Sequence, residues 1–379
     1  MSDVYRRLAK RLDGLPQGFP ATTSGVEIKI LKKIFAPDDA EMALKLKPIP
    51  ETAARIARRL KKPEDDLRTE LDGMASRGQI GSFKVKGQRK YALMPFVVGL
   101  FEFQLGKMDR ELAELCEQYA PHLAMTLGGS KPALARVVPV HQPIDPRTTV
   151  LAFEDTKTMI EGARSFRVMD CICRTEKALQ GKPCSHTLET CLAFSREEEA
   201  YDQFPLPGRS ISKDEALAVL AAAEEEGLVH CTYNFQRDQM FVCNCCDCCC
   251  GFLRLLTEYH APYGLVRSNW VAVIDEEACA ACGVCADERC PVDAIEETDD
   301  DWYRVVDERC IGCGVCVVTC STEAMHLEPR PEAERTTPPR TIVDWSVRRA
   351  ASRSGPLKGL ALRGWLAWNA MRSTTPPVE

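Results

Sequence analysis

Apolar positions in the first third of the chain recur at helical spacing, and those in the middle third form short strand-like runs. Val26, Ile28, Ile30, Leu31 and Ile34 predict one helix, and Pro37-Asp38-Asp39 opens a second through Met42, Leu44 and Leu46. Ala53, Ile56, Ala57 and Leu60 predict a third after Pro50, and Pro63-Glu64 opens a fourth with Leu67, Leu71 and Met74 on one face. Two short strands, Ile80 to Val85 and Lys90 to Leu93, flank Lys86-Gly87-Gln88-Arg89, and Leu100 to Tyr119 predicts a closing helix.

Prolines at 121, 132, 139, 143 and 146, with Gly128-Gly129 between them, then predict a linker or strap without helix. Beyond it, Glu154 to Ala163 reads as a helix and Phe166 to Met169 as a strand. Ser212-Lys213-Asp214-Glu215 is a capping box, opening a helix that stops at Gly227. Leu228 to Phe235 and Met240 to Val242 predict two strands, followed by a helix near Gly251-Phe252. After Glu328 the chain is rich in Pro, Arg and Thr and reads as a surface wrap. A short helix over 357–370 has Leu360, Leu362, Trp365, Leu366 and Trp368 packing on the body, or docking a partner or the periphery of a membrane.

The chain has 379 residues, 45% hydrophobic and 27% charged, an ordinary globular balance with room for several domains. Its net charge of −6 gives no global attraction to nucleic acid or anionic membrane. The N-terminal MSDVYRRLAKRLDG lacks the apolar centre of a secretory signal, and the longest apolar run, Ala92 to Phe101, is shorter than a spanning helix. The expected location is cytoplasmic, where thiols stay reduced, so the 20 cysteines read as metal ligands rather than disulfides. Such a thiol load implies an anaerobic or microaerobic life.

Eight cysteines form two similar groups: Cys279, Cys282, Cys285 and Cys290, then Cys310, Cys313, Cys316 and Cys320. Three thiolates two residues apart, on a loop turned by glycine, take three corners of an iron–sulfur cube, and a remote cysteine supplies the fourth. The segments AVIDEEACAACGVC and VVDERCIGCGVC also read as an internal repeat, which suggests a pseudo-twofold unit. Residues 269–328 resemble the bacterial two-cluster 4Fe-4S ferredoxin module. The resemblance implies crossed ligation, with Cys279, Cys282, Cys285 and Cys320 on one cluster and Cys310, Cys313, Cys316 and Cys290 on the other. Four residues precede Cys290 where the family's simplest pattern has three, an insertion expected to bulge, and Ser321 replaces the family's usual proline. Zinc is the competing reading of paired Cys-x-x-Cys, disfavoured by the repeated triplet with its distant fourth thiol.

Ten further candidate ligands lie between them and the N-terminal helices: Cys171, Cys173, Cys184, Cys191, Cys243, Cys245, Cys246, Cys248, Cys249 and Cys250. Six in eight consecutive residues cannot all be buried as small hydrophobes, because neighbouring side chains point to different sides. One or two further iron–sulfur clusters lead the readings, ahead of zinc and of a redox thiol pair. Arg174, Asp170 and Asp247 are candidates to tune potential through charge. His186 reads as a hydrogen-bonding neighbour of Cys184, and Cys116 and Cys231 as ordinary core residues.

The expected whole is a multidomain α+β chain. It comprises a winged-helix-like domain over 1–120, a proline-rich linker over 121–150, a cysteine-rich metal-binding domain over 151–268, the ferredoxin-like domain over 269–328 and a C-terminal extension over 329–379. That layout, with its Cys-x-Cys-Arg segment and its cysteine block before a ferredoxin tail, resembles a group of dicluster-ferredoxin proteins of anaerobic bacteria.

No nucleotide fingerprint and no catalytic triad stands out, so the leading expectation is an electron-transfer protein or the electron-carrying subunit of a redox complex. Its partners would be a flavoprotein, a ferredoxin or a metallo-oxidoreductase. A redox-sensing DNA-binding regulator is one alternative, and an iron–sulfur oxidoreductase with an open iron site is another. The N-terminal helix, turn, helix and hairpin resemble a winged helix, and 11 Lys or Arg against five Asp or Glu between Arg55 and Lys90 suit phosphate. Glu64-Asp65-Asp66, at the start of the helix that would enter the groove, oppose it, which makes protein docking the preferred use of this domain.

Overall fold

A computed structural model describes residues 3–140, 154–202, 207–261 and 263–374, with side chains as far as 369. Five helices open the chain: α1 (Val4–Asp13), α2 (Val26–Ile34), α3 (Pro37–Lys45), α4 (Ala53–Leu60) and α5 (Glu64–Ser76). Thr52 caps α4 by accepting from the Arg55 N–H, and three acids fill the first turn of α5, where the helix dipole favours negative charge. The predicted apolar stripes meet, with Ile30, Leu31, Ile56, Leu67, Leu71 and Met74 all fully shielded. The hairpin follows as β1 (Gly81–Val85) and β2 (Gln88–Ala92), with Val85 paired to Gln88 around the two-residue turn Lys86-Gly87. Both turn residues have positive φ (53° and 71°), the twist that matches the paired strands.

The next helix differs from expectation. It starts at Arg110 rather than near Leu100, and α6 (Arg110–Gly128) runs through Pro121. A proline inside a helix costs about 3 kcal/mol. Here Ala124, Leu127 and Gly128 continue the buried face of α6 past it, so tertiary packing outweighs the local penalty. The supposed linker also contributes β3 (Ala135–Val138), all four residues buried in a sheet, while its portion from 141 to 150 lies outside the described residues.

That sheet has seven strands in the order β6-β4-β5-β8-β7-β3-β9. They are β4 (Ser165–Asp170), β5 (Glu189–Ser195), β6 (Arg209–Ile211), β7 (Val229–Tyr233), β8 (Phe241–Cys245) and β9 (Leu265–Val266) with β3. One face packs Val168, Leu192, Phe194 and Val242 against α7 (Thr156–Glu161) and α9 (Lys213–Glu226), whose capping box and Gly227 stop form as the sequence predicts. The other face meets the N-terminal helices and α6 through Met169, Cys191 and Ala193. Helices α8 (Ile172–Leu179) and α10 (Gly251–Thr257) leave the ends of β4 and of the β8 cysteine block.

The C-terminal cysteine module is built from two crossed repeats. Strand β10 (Trp270–Ile274) of the first pairs with β13 (Met325–Pro329) of the second, and β11 (Ile295–Glu297) pairs with β12 (Tyr303–Val305). A four-residue turn, α11 (Val315–Val318), follows the second cysteine loop. The tail is more ordered than a surface wrap, forming α12 (Ile342–Ser354) and α13 (Pro356–Thr374). Trp345 and Arg349 on α12 are buried, and Arg349 donates to the carbonyls of Pro16, Ser130, Pro132, Thr126 and Leu127. That guanidinium satisfies carbonyls left open at the end of α6, an arginine cap supplied from more than 200 residues away.

Candidate metal centres

Two loops of the C-terminal module turn through left-handed backbone. Gly283, Gly312 and Gly314 have φ of 78°, 63° and 79°, and a Cβ on Gly312 would fall 2.0 Å from the Trp270 carbonyl oxygen. Ala281, at the position equivalent to Gly312, has φ 49°, and Asp293 and Glu323 repeat the same turn at 52° and 57°. The inserted residue before Cys290 is absorbed by a π-helical turn over Cys285–Arg289, where the second repeat has the α-helical α11.

Cys290, Cys310, Cys313 and Cys316 line one cavity whose other walls include Val292 and Ile295. Burial pushes Cys313 up to about 12 and Cys316 upward as well, with the neighbouring thiols adding to the effect. The Ala294 N–H donates to Cys290 Sγ at 3.1 Å, and Arg330 Nη2 donates to the Cys310 carbonyl at 2.7 Å, holding the loop from behind. Cys279, Cys282 and Cys285 face one another in the other loop, where burial and the first two thiols raise Cys285 and the Ala281 N–H reaches Cys279 Sγ at 3.4 Å. Cys320 is lowered: burial opposes this, and the N–H groups of Met325, Thr322 and Ala324 and the Thr322 hydroxyl outweigh it. Soft donors in fours, apolar walls and amide hydrogens on sulfur fit a pair of iron–sulfur cubes. The Cys310 group is buried, whereas Cys282 is exposed.

The middle-domain cysteines separate into two sets, a division that strand counting alone does not reveal. Cys184, Cys246, Cys248 and Cys249 bring their sulfurs within 4.8 Å of one another. Cys184 Sγ lies 3.5 Å from Cys248 and 3.9 Å from Cys246, and Cys248 lies 3.6 Å from Cys249. Burial raises Cys184, but the His186 N–H at 3.4 Å and the Cys248, Cys246 and Cys249 thiols outweigh it, so Cys184 lies below the usual thiol range. Burial pushes Cys249 up to about 12. Four thiol donors this close suit a soft metal. An open pocket of about 360 Å³ borders Cys184, Cys248 and Cys249, with Lys177, Lys182 and Asp247 on its rim.

Cys171, Cys191, Cys243, Cys245 and Cys250 lie apart from this quartet, against the sheet and α6, while Cys173 packs both on the N-terminal core and against Cys246 and Cys249. Cys231, read from sequence as plain core, stands in register with Cys243 and touches Cys245, so it borders that set. Its signal was its cross-strand partner, visible only once β7 and β8 pair. Cys116 is buried on α6, and burial raises its thiol.

Arg174 lies between the two sets. Its Nη1 donates to Thr190 Oγ1 at 2.8 Å and to the Thr187 carbonyl, and its Nη2 donates to the Asn244 carbonyl at 3.1 Å. Although burial works against it, Arg174 is held in its charged form by Cys171, Cys246 and Cys184. Sequence reasoning also missed the buried trio under the cysteine block: His230 meets Asn244 Oδ1 at 2.7 Å through Nδ1 and Glu224 Oε1 at 3.2 Å through Nε2. His186 is a hydrogen-bonding neighbour of Cys184 through its backbone N–H, its Nδ1 pairs with Glu226 at 3.1 Å, and its ring lies within 4.8 Å of ligand atoms of Asp247 and Cys248.

No helix among the described residues is long and apolar enough to cross a membrane. No curated protein and no solved structure matches the chain. Residues 272–321 match the family described as the 4Fe-4S dicluster domain. The chain thus carries a ferredoxin-type 4Fe-4S module within a larger mixed α and β protein, and iron–sulfur electron transfer is the role that this module and the surrounding thiols support.

Proposed function

We propose that the chain carries single electrons between a redox-protein partner and a metal centre of its own middle domain, by way of the dicluster module. The observation that carries this reading is one shared core. Cys313 packs in the same apolar cluster as Cys231, Cys245 and Cys250, so the buried cube site and the middle-domain thiols are neighbours rather than separate modules on a linker. The Cys279 group, with Cys282 exposed, is the natural face for a ferredoxin or flavoprotein donor, and the Cys310 group is the inner station. The quartet of Cys184, Cys246, Cys248 and Cys249 would hold a third, iron-containing centre at the solvent-facing pocket. Bound iron–sulfur clusters supply reversible one-electron chemistry, and the chain fixes their spacing, dryness and local charge.

The regulator alternative has less support. Tight pairs occupy the basic residues of the N-terminal domain: Arg59 with Glu51 at 2.8 Å, Lys62 with Glu70 at 2.8 Å and Arg89 with Asp72 at 2.9 Å. The tip of the hairpin is also engaged, because the Lys86 and Gly87 N–H groups donate to the Glu197 carboxylate at 2.9 and 3.3 Å. These contacts favour a docking scaffold.

A reductive titration tests the reading on protein purified without oxygen. Uptake beyond the module's roughly two electrons per chain is expected, falling by about one electron in Cys184→Ser with Cys248→Ser. Uptake of two electrons by both proteins would leave the module without an internal partner at the quartet.

A further inference from the structure

The ten middle cysteines divide because the pleat of β8 sorts them. Successive strand side chains point to opposite faces, so Cys243 and Cys245 share one face with Phe241, while Val242 and Asn244 take the other. Val242 packs toward α9 and Asn244 meets His230 there. Cys246 and Cys249 pack with Ala223 and Leu228 at the end of α9, on that second side. Cys243 and Cys245 are left facing α6, with thiols from three other places.

Those thiols form an unbroken line. Cys191 on β5 adjoins Cys243, and Cys243 adjoins Cys245. Cys245 adjoins Cys250, Cys250 adjoins Cys173 at the start of α8, and Cys173 adjoins Cys171. They do not behave as a packed hydrophobic row. Cys171, Cys173, Cys191 and Cys243 each keep part of their surface accessible although Cys173, Cys191 and Cys243 adjoin the core, so their sulfurs are not fully enclosed by carbon. Backbone N–H groups of Arg174, Gly251 and Leu253 are directed at Cys171, Cys173 and Cys250, the amide-to-sulfur contacts that a cluster site uses.

Arg174 is the independent sign of what fills that space. It is 2% exposed, it donates to two carbonyls and a hydroxyl and reaches the Cys246 thiol, and its Nε is buried without a partner. A guanidinium does not give up its proton, and burying its charge without an opposite charge costs several kcal/mol. The groups around it are Cys171, Cys246 and Cys184, with Cys191 also within its field. Thiolates held by metal on both sides of Arg174 supply the missing negative charge.

We propose that Cys171, Cys173, Cys191, Cys243, Cys245 and Cys250 hold a second iron–sulfur centre of the middle domain, distinct from the quartet and set between it and the Cys290–Cys316 cavity. It rests on the electron-transfer reading and adds the missing station. Cys231 borders this centre, and the charge of Cys313 acts on it from the module side. Each transfer moves one electron: the station nearer the donor is oxidised as the next is reduced, and no bond is made or broken.

The test removes the quartet and counts what remains. Cys184→Ser with Cys248→Ser, purified without oxygen, should keep about four iron and four sulfide beyond the module's roughly eight of each. A content of only about eight would overturn the proposal. The reciprocal Cys191→Ser with Cys243→Ser should lose that same increment while the EPR signals of the module persist, and an unchanged iron content there would equally overturn it. If the reciprocal protein does not fold, the first count decides alone. Equal content of about twelve iron in wild type and the quartet variant would count against the quartet centre of the proposed function and leave this one standing.

Discussion

Arg289, the residue before Cys290, donates from Nη2 to the Glu225 carbonyl at 3.0 Å and so ties the dicluster module to the end of α9. The same nitrogen reaches the Glu224 carbonyl at 3.2 Å, and Nε reaches the Val315 carbonyl at 3.3 Å, inside the second cysteine loop. One side chain thus fixes the module against the sheet whose thiols it faces. Arg289→Met is expected to lower stability by about 1–3 kcal/mol through lost charge-assisted bonds. An anaerobic thermal melt followed at the cluster absorbance checks this, and an unchanged midpoint would show that the module is held by its apolar contacts alone.

Arg174 supplies positive charge beside the middle thiols. Reduction adds negative charge to a cluster, so Arg174→Gln should make the middle centres harder to reduce. The expected shift is roughly 50–100 mV to lower potential, at about 59 mV per tenfold change for one electron. Potentiometric EPR reads it directly, with the module's own potentials as the internal control.

Arg349 is buried by five carbonyl oxygens from α6 and its neighbours. Arg349→Leu would leave these oxygens without donors, and a loss of about 3 kcal/mol or more is expected. The urea midpoint measures it. Limited proteolysis should then cut the chain between Glu328 and Ile342 faster than in wild type.

Glu176 gives the fold a pH dependence. Burial pushes its carboxyl up to about 7, Glu117 adds to the rise, and Lys177 and Arg254 oppose it. The folded state therefore holds this proton more tightly than the unfolded chain does. Its contribution is complete below about pH 4 and is lost as pH rises through 7, at most about 3 kcal/mol. Glu176→Gln should flatten that fall between pH 5 and 8 in thermal melts, and parallel curves for the two proteins would exclude Glu176 as its source.

Ala281 carries the strain that its counterpart Gly312 avoids, since φ of 49° is left-handed backbone. Ala281→Gly should stabilise the first loop by about 0.5 kcal/mol, the relief of roughly 1 kcal/mol being partly offset by the freer unfolded chain. Slower loss of iron–sulfur absorbance in air is the readout.

Much of this was legible in the chain. The apolar stripes of Ile30, Ile56 and Leu71, the capping box at Ser212 and the glycine turn at Gly227 are local signals, and each produced its helix or its stop. The spacing of Cys279 to Cys320 announced the dicluster module because thiolate geometry around a cube depends on residues two apart. Less was legible where distant elements compete with local preference. Pro121 predicted a break that the buried face of α6 overrides, and Arg349 sits in a segment whose composition suggested only a wrap.

The sequence by itself determined how many thiols there are and that neighbours among Cys243 to Cys250 must diverge, since both follow from composition and backbone alternation. Only the tertiary structure decided which thiols meet. Strand register brings Cys191 and Cys231 to Cys243, while Cys184 arrives at Cys248 from 64 residues away. Pairing of this kind depends on packing free energy summed over the whole sheet, and no short window of sequence contains that sum.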